Sequence, residues 1–362
     1  ARALALYSQL REHSWSAPGH QGGIAFTKLP AGRAFFDFLG ENIFRIDMGI
    51  ERGALGSLLD HTGPVNDSEK YAARVFGAHR SYSGVVGTSG SNRSIMQACM
   101  KEDDLVICDR NCHKSIEQGL MLTGARPVYM VPTRNRYGII GPISPTEMDP
   151  KTIQAKAKAG PLTKMVAGQK PVYAVVTNST YDGLCYNSAR VEALLAKSSD
   201  RVHMDEAWYG YARFNPMYEN HFAMRGDPKD HKGPTVFATH STHKLLAALS
   251  QASYIHVRDG KGAIDHHRFN QAYMMHTSTS PLYAIVASND ITSAMMDGSG
   301  GRSLTQEVIN EAVDFRQAVG RVRREFARKK DWFFKPWNVE RVGKVAFEDA
   351  PAEALTHSQE PW

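Results

Sequence analysis

Short, unbroken apolar runs alternate along this chain with longer segments whose apolar positions recur every three or four residues. The runs fall at 105–108, 127–131, 171–177, 201–204, 235–239 and 252–257, and they are rich in β-branched residues. Segments such as 115–123 and 188–196 carry the helical spacing. Runs that are continuous rather than alternating predict strands buried on both faces. Interleaved with helices, they predict an α/β fold with a mostly parallel central sheet flanked by helices. Ligands of such sheets sit beyond the carboxyl ends of the strands. The polar clusters that close these runs are therefore where chemistry is expected.

The flanks are less regular. A short helical pattern opens residues 1–40, and the Gly- and Pro-rich stretch Ser16-Ala17-Pro18-Gly19-His20-Gln21-Gly22-Gly23 predicts a loop. A second irregular polar stretch covers 55–65, followed by a helix over 67–77 with Asp67 or Ser68 as N-cap. Residues 149–169, rich in Lys and Ala, read as an exposed helix and loop. A Gly-Ser hinge at 298–301 leads into a long helix over 303–330, capped by Ser303 or Thr305. The tail from Trp332 to Trp362 reads as irregular and cut short. The expected division is a linker at 1–40, a large domain at 41–297, and at 298–362 the long helix with the start of a smaller C-terminal α/β domain.

Composition narrows the class. A chain of 362 residues with 42% apolar and 22% charged positions is a folded protein too long for one simple core. No apolar run approaches the roughly 18 residues a membrane span needs. Ala1 to Leu10, followed by Arg11, lacks the apolar core and cleavage site of a secretory signal. The expectation is a cytoplasmic protein with no membrane partner. The net charge of +6 is spread out except for Arg321, Arg323, Arg324, Arg328, Lys329 and Lys330. That cluster has few interleaved aromatics and reads as a solvated helix face rather than a nucleic-acid surface. Cys99, Cys108, Cys112 and Cys185 are too few for a disulfide scaffold and read as free thiols. Cys108, Cys112 and His113 lack a second ligand pair, so no metal is expected.

Four clusters carry candidate chemistry. Gly84 to Asn92 (Gly-Val-Val-Gly-Thr-Ser-Gly-Ser-Asn) runs into a helical segment at 93–100, suiting either an anion site at a helix start or an ordinary serine-capped turn. His113 follows the 105–109 run and reads either as a ring stacked on an aromatic ligand or as a histidine satisfied by its neighbours. Asp205 closes Val202-His203-Met204-Asp205 and could cap the next turn. Lys244, in Ser241-Thr242-His243-Lys244, borders the apolar run 245–249, where an ammonium is costly unless paired, neutralised or used covalently. Desolvation and nearby cations such as His243 lower a lysine pKa, the condition for a Schiff-base amine. A carboxylate and a lysine at strand ends are what a pyridoxal phosphate enzyme requires. Neither Ser89 nor Ser241 lies in a Gly-x-Ser-x-Gly elbow, which disfavours a serine hydrolase. Asp265, His266 and His267 read as a solvated loop.

Gly87-Thr88-Ser89-Gly90-Ser91-Asn92, Asp109 to Ser115, Thr180-Tyr181-Asp182-Gly183, His203 to Trp208 and Ser241 to Lys244 occur in this order in the bacterial Orn/Lys/Arg decarboxylases. The resemblance runs from about Ser16 through Trp337. Residues 269–276 and 303–317 are worded most like the arginine-specific members. The resemblance implies a pyridoxal 5'-phosphate enzyme of the aspartate-aminotransferase fold type (PLP-dependent transferase fold type I) that decarboxylates a basic amino acid in acid resistance. Arginine is the implied substrate, with lysine, ornithine or an inactive cofactor-binding core as alternatives. Lys244 would hold the cofactor covalently, Asp205 would pair with its ring nitrogen, His113 would stack on the ring and Ala207 would pack on the other face. Ser89, Gly90, Ser91, Ser241 and His243 would hold the phosphate, and Trp208 would border the substrate. His243 or Lys244 would return a proton to Cα. Ser278, where the family carries threonine, would reach the phosphate of a second subunit, implying a homodimer with shared sites and a decamer for full-length members. The N-terminal wing and C-terminal domain of those members have no counterpart in the resemblance, which covers a linker remnant, the core and the start of the next domain.

Overall fold

The computed structural model describes residues 1–10, 15–49, 52–331 and 334–360. Arg11, Trp332 and Trp362, used above as landmarks, lie outside the described residues. The strands are β1 (Arg80–Gly84), β2 (Leu105–Asp109), β3 (Arg126–Met130), β4 (Pro132–Arg134), β5 (Ile140–Ile143), β6 (Tyr173–Thr177), β7 (Arg201–Asp205), β8 (Thr235–His240), β9 (Ser253–Arg258), β10 (Arg341–Val342) and β11 (Val345–Ala346). The helices begin with α1 (Arg2–Leu10), α2 (Pro30–Leu39), α3 (Glu41–Ile46), α4 (Arg52–Leu55), α5 (Gly63–Phe76), α6 (Gly87–Cys99) and α7 (Lys114–Thr123). They continue with α8 (Pro150–Ala159), α9 (Ser188–Leu195), α10 (Thr242–Leu245), α11 (His266–Met275), α12 (Tyr283–Met296), α13 (Ser299–Ala327) and α14 (Ala352–Thr356).

Seven strands form one sheet in the order β1-β9-β8-β7-β6-β2-β3. Only β9 runs against the others, pairing antiparallel with both β1 and β8. The remaining six point the same way, so β1, β2, β6, β7 and β8 all end at one edge. Alternate residues of each strand feed two separate cores. Val106, Cys108, Tyr173, Val175, Phe237 and Ile255 pack with Ile95 and Met96 of α6, Ile116 of α7 and Phe269 of α11. Ile107, Ala174, Val176, Val202, Met204 and Val236 pack with Ile153 of α8 and with Val191 and Leu195 of α9. Burial on both faces is why these strands read as unbroken apolar runs.

All six predicted strands are present, each within two residues of its expected bounds. β1 went unpredicted because Arg-Ser-Tyr-Ser-Gly looks polar, yet Ser81 and Ser83 are buried and bonded. Three helix starts also differ. α5 begins at Gly63, with Pro in its first turn and Thr62 rather than Asp67 or Ser68 as cap. α6 begins at Gly87, so Gly87 to Asn92 of the glycine- and serine-rich motif form its first two turns, while Gly84 ends β1. α13 begins at Ser299, after Gly298 in a left-handed conformation (φ 62), and the expected hinge glycines Gly300 and Gly301 lie inside it. His266 and His267 open α11, with Asp265 as N-cap, instead of lying in a loop. The tail holds a two-stranded hairpin, β10–β11, and α14.

The chain divides into two compact units. One comprises residues 1–210 and 220–294 and contains the seven-stranded sheet. The other comprises 211–219 and 295–362, where Val313 of α13, Phe347, Ala350 and Leu355 form a small core. None of the described helices is long and apolar enough to cross a membrane.

Candidate active site

The parallel register places Asp205, the last residue of β7, beside Thr177 of β6 and Thr239 of β8. At 2% exposure its carboxylate is supported from three directions. Oδ2 accepts from Asn92 Nδ2 at 3.0 Å, and Oδ1 accepts from Thr239 Oγ1 at 3.2 Å and from the Ala207 N–H at 3.3 Å. Asn92 sits on the second turn of α6, and its amide also donates to Ser115 Oγ at 2.9 Å on α7. A carboxylate this deep is tolerated because each oxygen is hydrogen-bonded. Asp205 caps the following turn through the Ala207 N–H and is also held by two side chains from other elements, Asn92 and Thr239.

His113 is the N-cap of α7, its Nδ1 meeting the Ser115 N–H at 3.2 Å and the Ser115 hydroxyl at 2.8 Å. Burial lowers its pKa, opposed by Asp205 and reinforced by Lys244, which ties all three groups to one place. Lys244 lies in α10, the short helix after β8, with its Nζ 4.2 Å from the centroid of the Trp208 ring. Burial lowers the Lys244 pKa and Asp205 partly restores it. Trp208 also meets Tyr181 edge-on at 5.6 Å. The structure therefore brings a buried carboxylate, a half-buried amine, an imidazole and an indole to the carboxyl ends of β2, β7 and β8.

The start of α6 lies at the same sheet edge, following β1. Gly87 takes φ +68, a conformation an L residue rarely adopts, and no side chain caps the first turn. Uncapped N–H groups at a helix start attract negative charge. The Thr88 and Ser241 hydroxyls are in direct contact there, and the His243 ring lies near Gly87 while its Nδ1 meets the Ala252 carbonyl at 2.7 Å. Ser89 is half-buried at this turn and Gly90 is buried, close to Val86 and the His276 carbonyl. The Ser91 hydroxyl is engaged elsewhere, 3.0 Å from Ser253 Oγ, so what Ser91 offers an anion is its backbone. Ser278 stands apart: it is exposed, and its hydroxyl accepts from the Ser280 N–H at 3.1 Å.

Several residues that build the site had no separate signal in the sequence. Thr88 and Asn92 lay inside a recognised motif but were given no role. Thr239 and His203 lay inside apolar runs. Asn289 of α12 accepts from Thr242 Oγ1 at 2.6 Å and donates to Ser83 Oγ at 2.8 Å, anchoring α10 to β1. Glu206, next to Asp205, faces away: it pairs with His240 at 3.2 Å and accepts from Asn178 Nδ2 and the Ala223 N–H, both at 2.8 Å. Adjacent residues on a strand end point to opposite faces, which is why two neighbouring acids have separate surroundings.

The donor set suits a flat, cationic heteroaromatic ring with an anionic arm: Asp205 for a ring N–H, Lys244 for a carbonyl carbon, and the α6 start for the arm. Comparison with known proteins agrees in kind. Residues 1–360 match the family described as Orn/Lys/Arg decarboxylase, major domain. The chain is 69% identical to the biodegradative arginine decarboxylase of Escherichia coli K12, over 99% of this chain and 48% of that one. It is 49% identical to the lysine decarboxylase LdcA of Pseudomonas aeruginosa, over 94% of this chain and 45% of that one. The solved structure of the E. coli constitutive lysine decarboxylase superposes with a TM-score of 0.84 at 42% identity, covering 95% of this chain and 46% of that one. The chain thus spans about half the length of the curated relatives it matches.

Proposed function

The chain belongs to the Orn/Lys/Arg decarboxylase family, and from that premise we propose that it is the pyridoxal 5'-phosphate-binding core of an enzyme that converts arginine to agmatine and carbon dioxide. The observation that carries this reading is the meeting of Asp205 and Lys244 at the ends of adjacent parallel strands, beside the uncapped start of α6. Arginine is favoured because the relative at 69% identity is named an arginine decarboxylase. Lysine or ornithine is the second reading, since relatives at 49% and 36% identity are named for those substrates. An inactive cofactor-binding core is the third.

When bound, the coenzyme supplies an electron-poor ring that accepts the electron pair left as the substrate carboxyl departs as carbon dioxide. The residues of this chain do the rest. Asp205 would face the ring nitrogen and favour a proton there, its carboxylate oriented by the three donors around it. Lys244 would carry the coenzyme covalently, through an amine that burial makes easier to deprotonate. His113 would cover one face of the ring and Ala207 the other. The first turn of α6 with Thr88, Ser89, Gly90, Ser91, Ser241 and His243 would hold the phosphate, and Trp208 would border the substrate. His243 or Lys244 returns a proton to Cα, so each turnover breaks one C–C bond, forms one C–H bond and consumes one proton. Net proton consumption by a cytoplasmic enzyme is the chemical basis for a role in acid resistance. Exposed Ser278 is assigned to the phosphate held by a second copy, which makes the working unit a homodimer with shared sites and the decamer an assembly of full-length members.

The test is direct. The purified chain is incubated with pyridoxal 5'-phosphate, reduced with borohydride and digested, and the adduct is located by mass spectrometry. A reduced adduct on Lys244 is expected; no adduct, or one on another lysine, overturns the assignment. Carbon dioxide release from arginine, lysine and ornithine, measured side by side, separates the substrate readings.

A further inference from the structure

Behind Asp205, a line of buried polar side chains crosses the central strands on the face that packs against α6. The hydroxyl of Tyr173 on β6 lies 2.5 Å from His203 Nδ1, and His203 Nε2 lies 3.1 Å from Thr239 Oγ1 on β8. Thr239 Oγ1 is in turn 3.2 Å from Asp205 Oδ1 and 2.9 Å from Asn92 Oδ1. Tyr173, His203 and Thr239 are each fully buried, with no exposed surface. The proposed function gives none of the three a part in holding coenzyme or substrate. Burying them among apolar side chains is costly unless every donor finds an acceptor.

Proton counting gives the line a direction. A phenol at this depth keeps its proton, since burial raises the Tyr173 pKa well above its ordinary value. Tyr173 therefore donates to His203 Nδ1, which places the imidazole proton on Nε2, where it is donated to Thr239 Oγ1. With one lone pair so occupied, the single Thr239 proton points to Asp205 Oδ1 or to Asn92 Oδ1. Both choices reinforce the same carboxylate, because Asn92 Nδ2 donates to Asp205 Oδ2 at 3.0 Å. The titratable groups facing the line are Cys99 on α6, Cys108 on β2 and Cys112 beyond it, and those facing its end at Asp205 are Asp109 on β2, His113 at the start of α7 and Lys244 on α10. Burial raises the Cys99 thiol to about 12, and the Cys112 contact and burial raise that of Cys108. Asp205 is the carboxylate on which the line ends.

We infer that Tyr173, His203 and Thr239 are positioning residues, a directed hydrogen-bond chain that ends on Asp205 and fixes both the orientation and the ionisation of the carboxylate that serves the ring nitrogen. The inference deepens the proposed function, since the purpose of a fixed carboxylate there rests on that reading. The chain itself rests on geometry alone. It is also directional in its consequences: removing Thr239 disconnects everything behind it, whereas removing Tyr173 leaves His203 free to turn.

The experiment uses the chain with and without pyridoxal 5'-phosphate. In the ligand-free chain, carboxyl carbon NMR follows the titration of Asp205 in the parent, in Thr239→Val, Thr239→Ser and Tyr173→Phe, and in the double variant. Thr239→Val keeps the shape and loses the hydroxyl, so the Asp205 midpoint is expected to rise by about one pH unit, as loss of a hydrogen bond to a charged group implies. Thr239→Ser restores the parent midpoint. Tyr173→Phe gives a smaller rise, and none on top of Thr239→Val. With nitrogen-labelled coenzyme bound, the ring nitrogen resonance of Thr239→Val moves toward that of the unprotonated ring. An unchanged Asp205 midpoint in Thr239→Val, or fully additive effects of Tyr173→Phe and Thr239→Val, overturns the inference. Failure of the parent chain to take up the coenzyme overturns the proposed function instead, and the ligand-free titration still decides the hydrogen-bond chain.

Discussion

The amine of Lys244 stands between two opposing influences, burial that lowers its pKa and the Asp205 carboxylate that raises it. Removing the second should expose the first. In Asp205→Asn the midpoint for modification of Lys244, followed in the ligand-free chain by trace acetylation and mass spectrometry, is expected to fall below that of the parent, which itself lies below the ordinary lysine value. A rise, or no movement, would mean that Asp205 is not the charge Lys244 senses. Lys244 and Asp205 were legible in the sequence because each is a charge at the border of an apolar run, where solvation alone cannot explain it. Asn92, Thr239 and His203 were not. Nothing local assigns them a role, and their partners lie 113, 34 and 30 residues away in the chain. Only the strand register brings them together.

At the scale of elements, the sequence reading succeeded where burial leaves a compositional trace and failed where backbone geometry decides. Strands buried on both faces announce themselves, whereas β1 hides because its serines are paired: Ser81 with His256 at 2.7 Å, and Ser83 through Asn289 and its own N–H to Glu69. In α6, glycines that suggest a turn instead open a helix. Gly301 sits inside α13 because a Cβ there would come within 3.0 Å of Phe214, a close approach only a small residue permits. Gly87 makes a sharper test. Its positive φ costs an L residue roughly 1 kcal/mol, while the space beside it is open, the first atom a Cβ would meet being His243 Cε1 at 4.0 Å. Gly87→Ala is therefore expected to lower the unfolding free energy by about 1 kcal/mol and to weaken coenzyme binding at least tenfold, because relaxing φ turns the first N–H groups of α6 away from the phosphate. Urea denaturation and spectroscopic titration with pyridoxal 5'-phosphate measure the two effects separately. Equal binding in both chains would remove the α6 start from the phosphate site.

For the molecule as a whole, the sheet-bearing unit carries two buried histidines whose protonation bears on stability in opposite senses. Burial lowers the pKa of His203 to about 4, beneath its unfolded value of 6.5. Its contribution is complete above pH 6.5 and is lost as the pH falls toward 4, since the unfolded chain binds the proton first. For His61, burial is outweighed by the Glu69 carboxylate at 2.8 Å and by Asn270, and the pKa is raised. That contribution is present below pH 6.5 and is lost as the pH rises through the raised value. The two windows lie on either side of the unfolded value of 6.5, so variants can separate them. Between pH 7.5 and pH 5 the parent should lose about 2 kcal/mol through His203. Comparing urea midpoints at the two pH values, His203→Leu should show a smaller acid loss than the parent, and His61→Gln a larger one. If His203→Leu lost as much stability in acid as the parent, His203 would have to be protonated in the folded chain. Its Nδ1 would then donate to Tyr173 rather than accept from it, reversing that one bond, while Nε2 would still donate to Thr239.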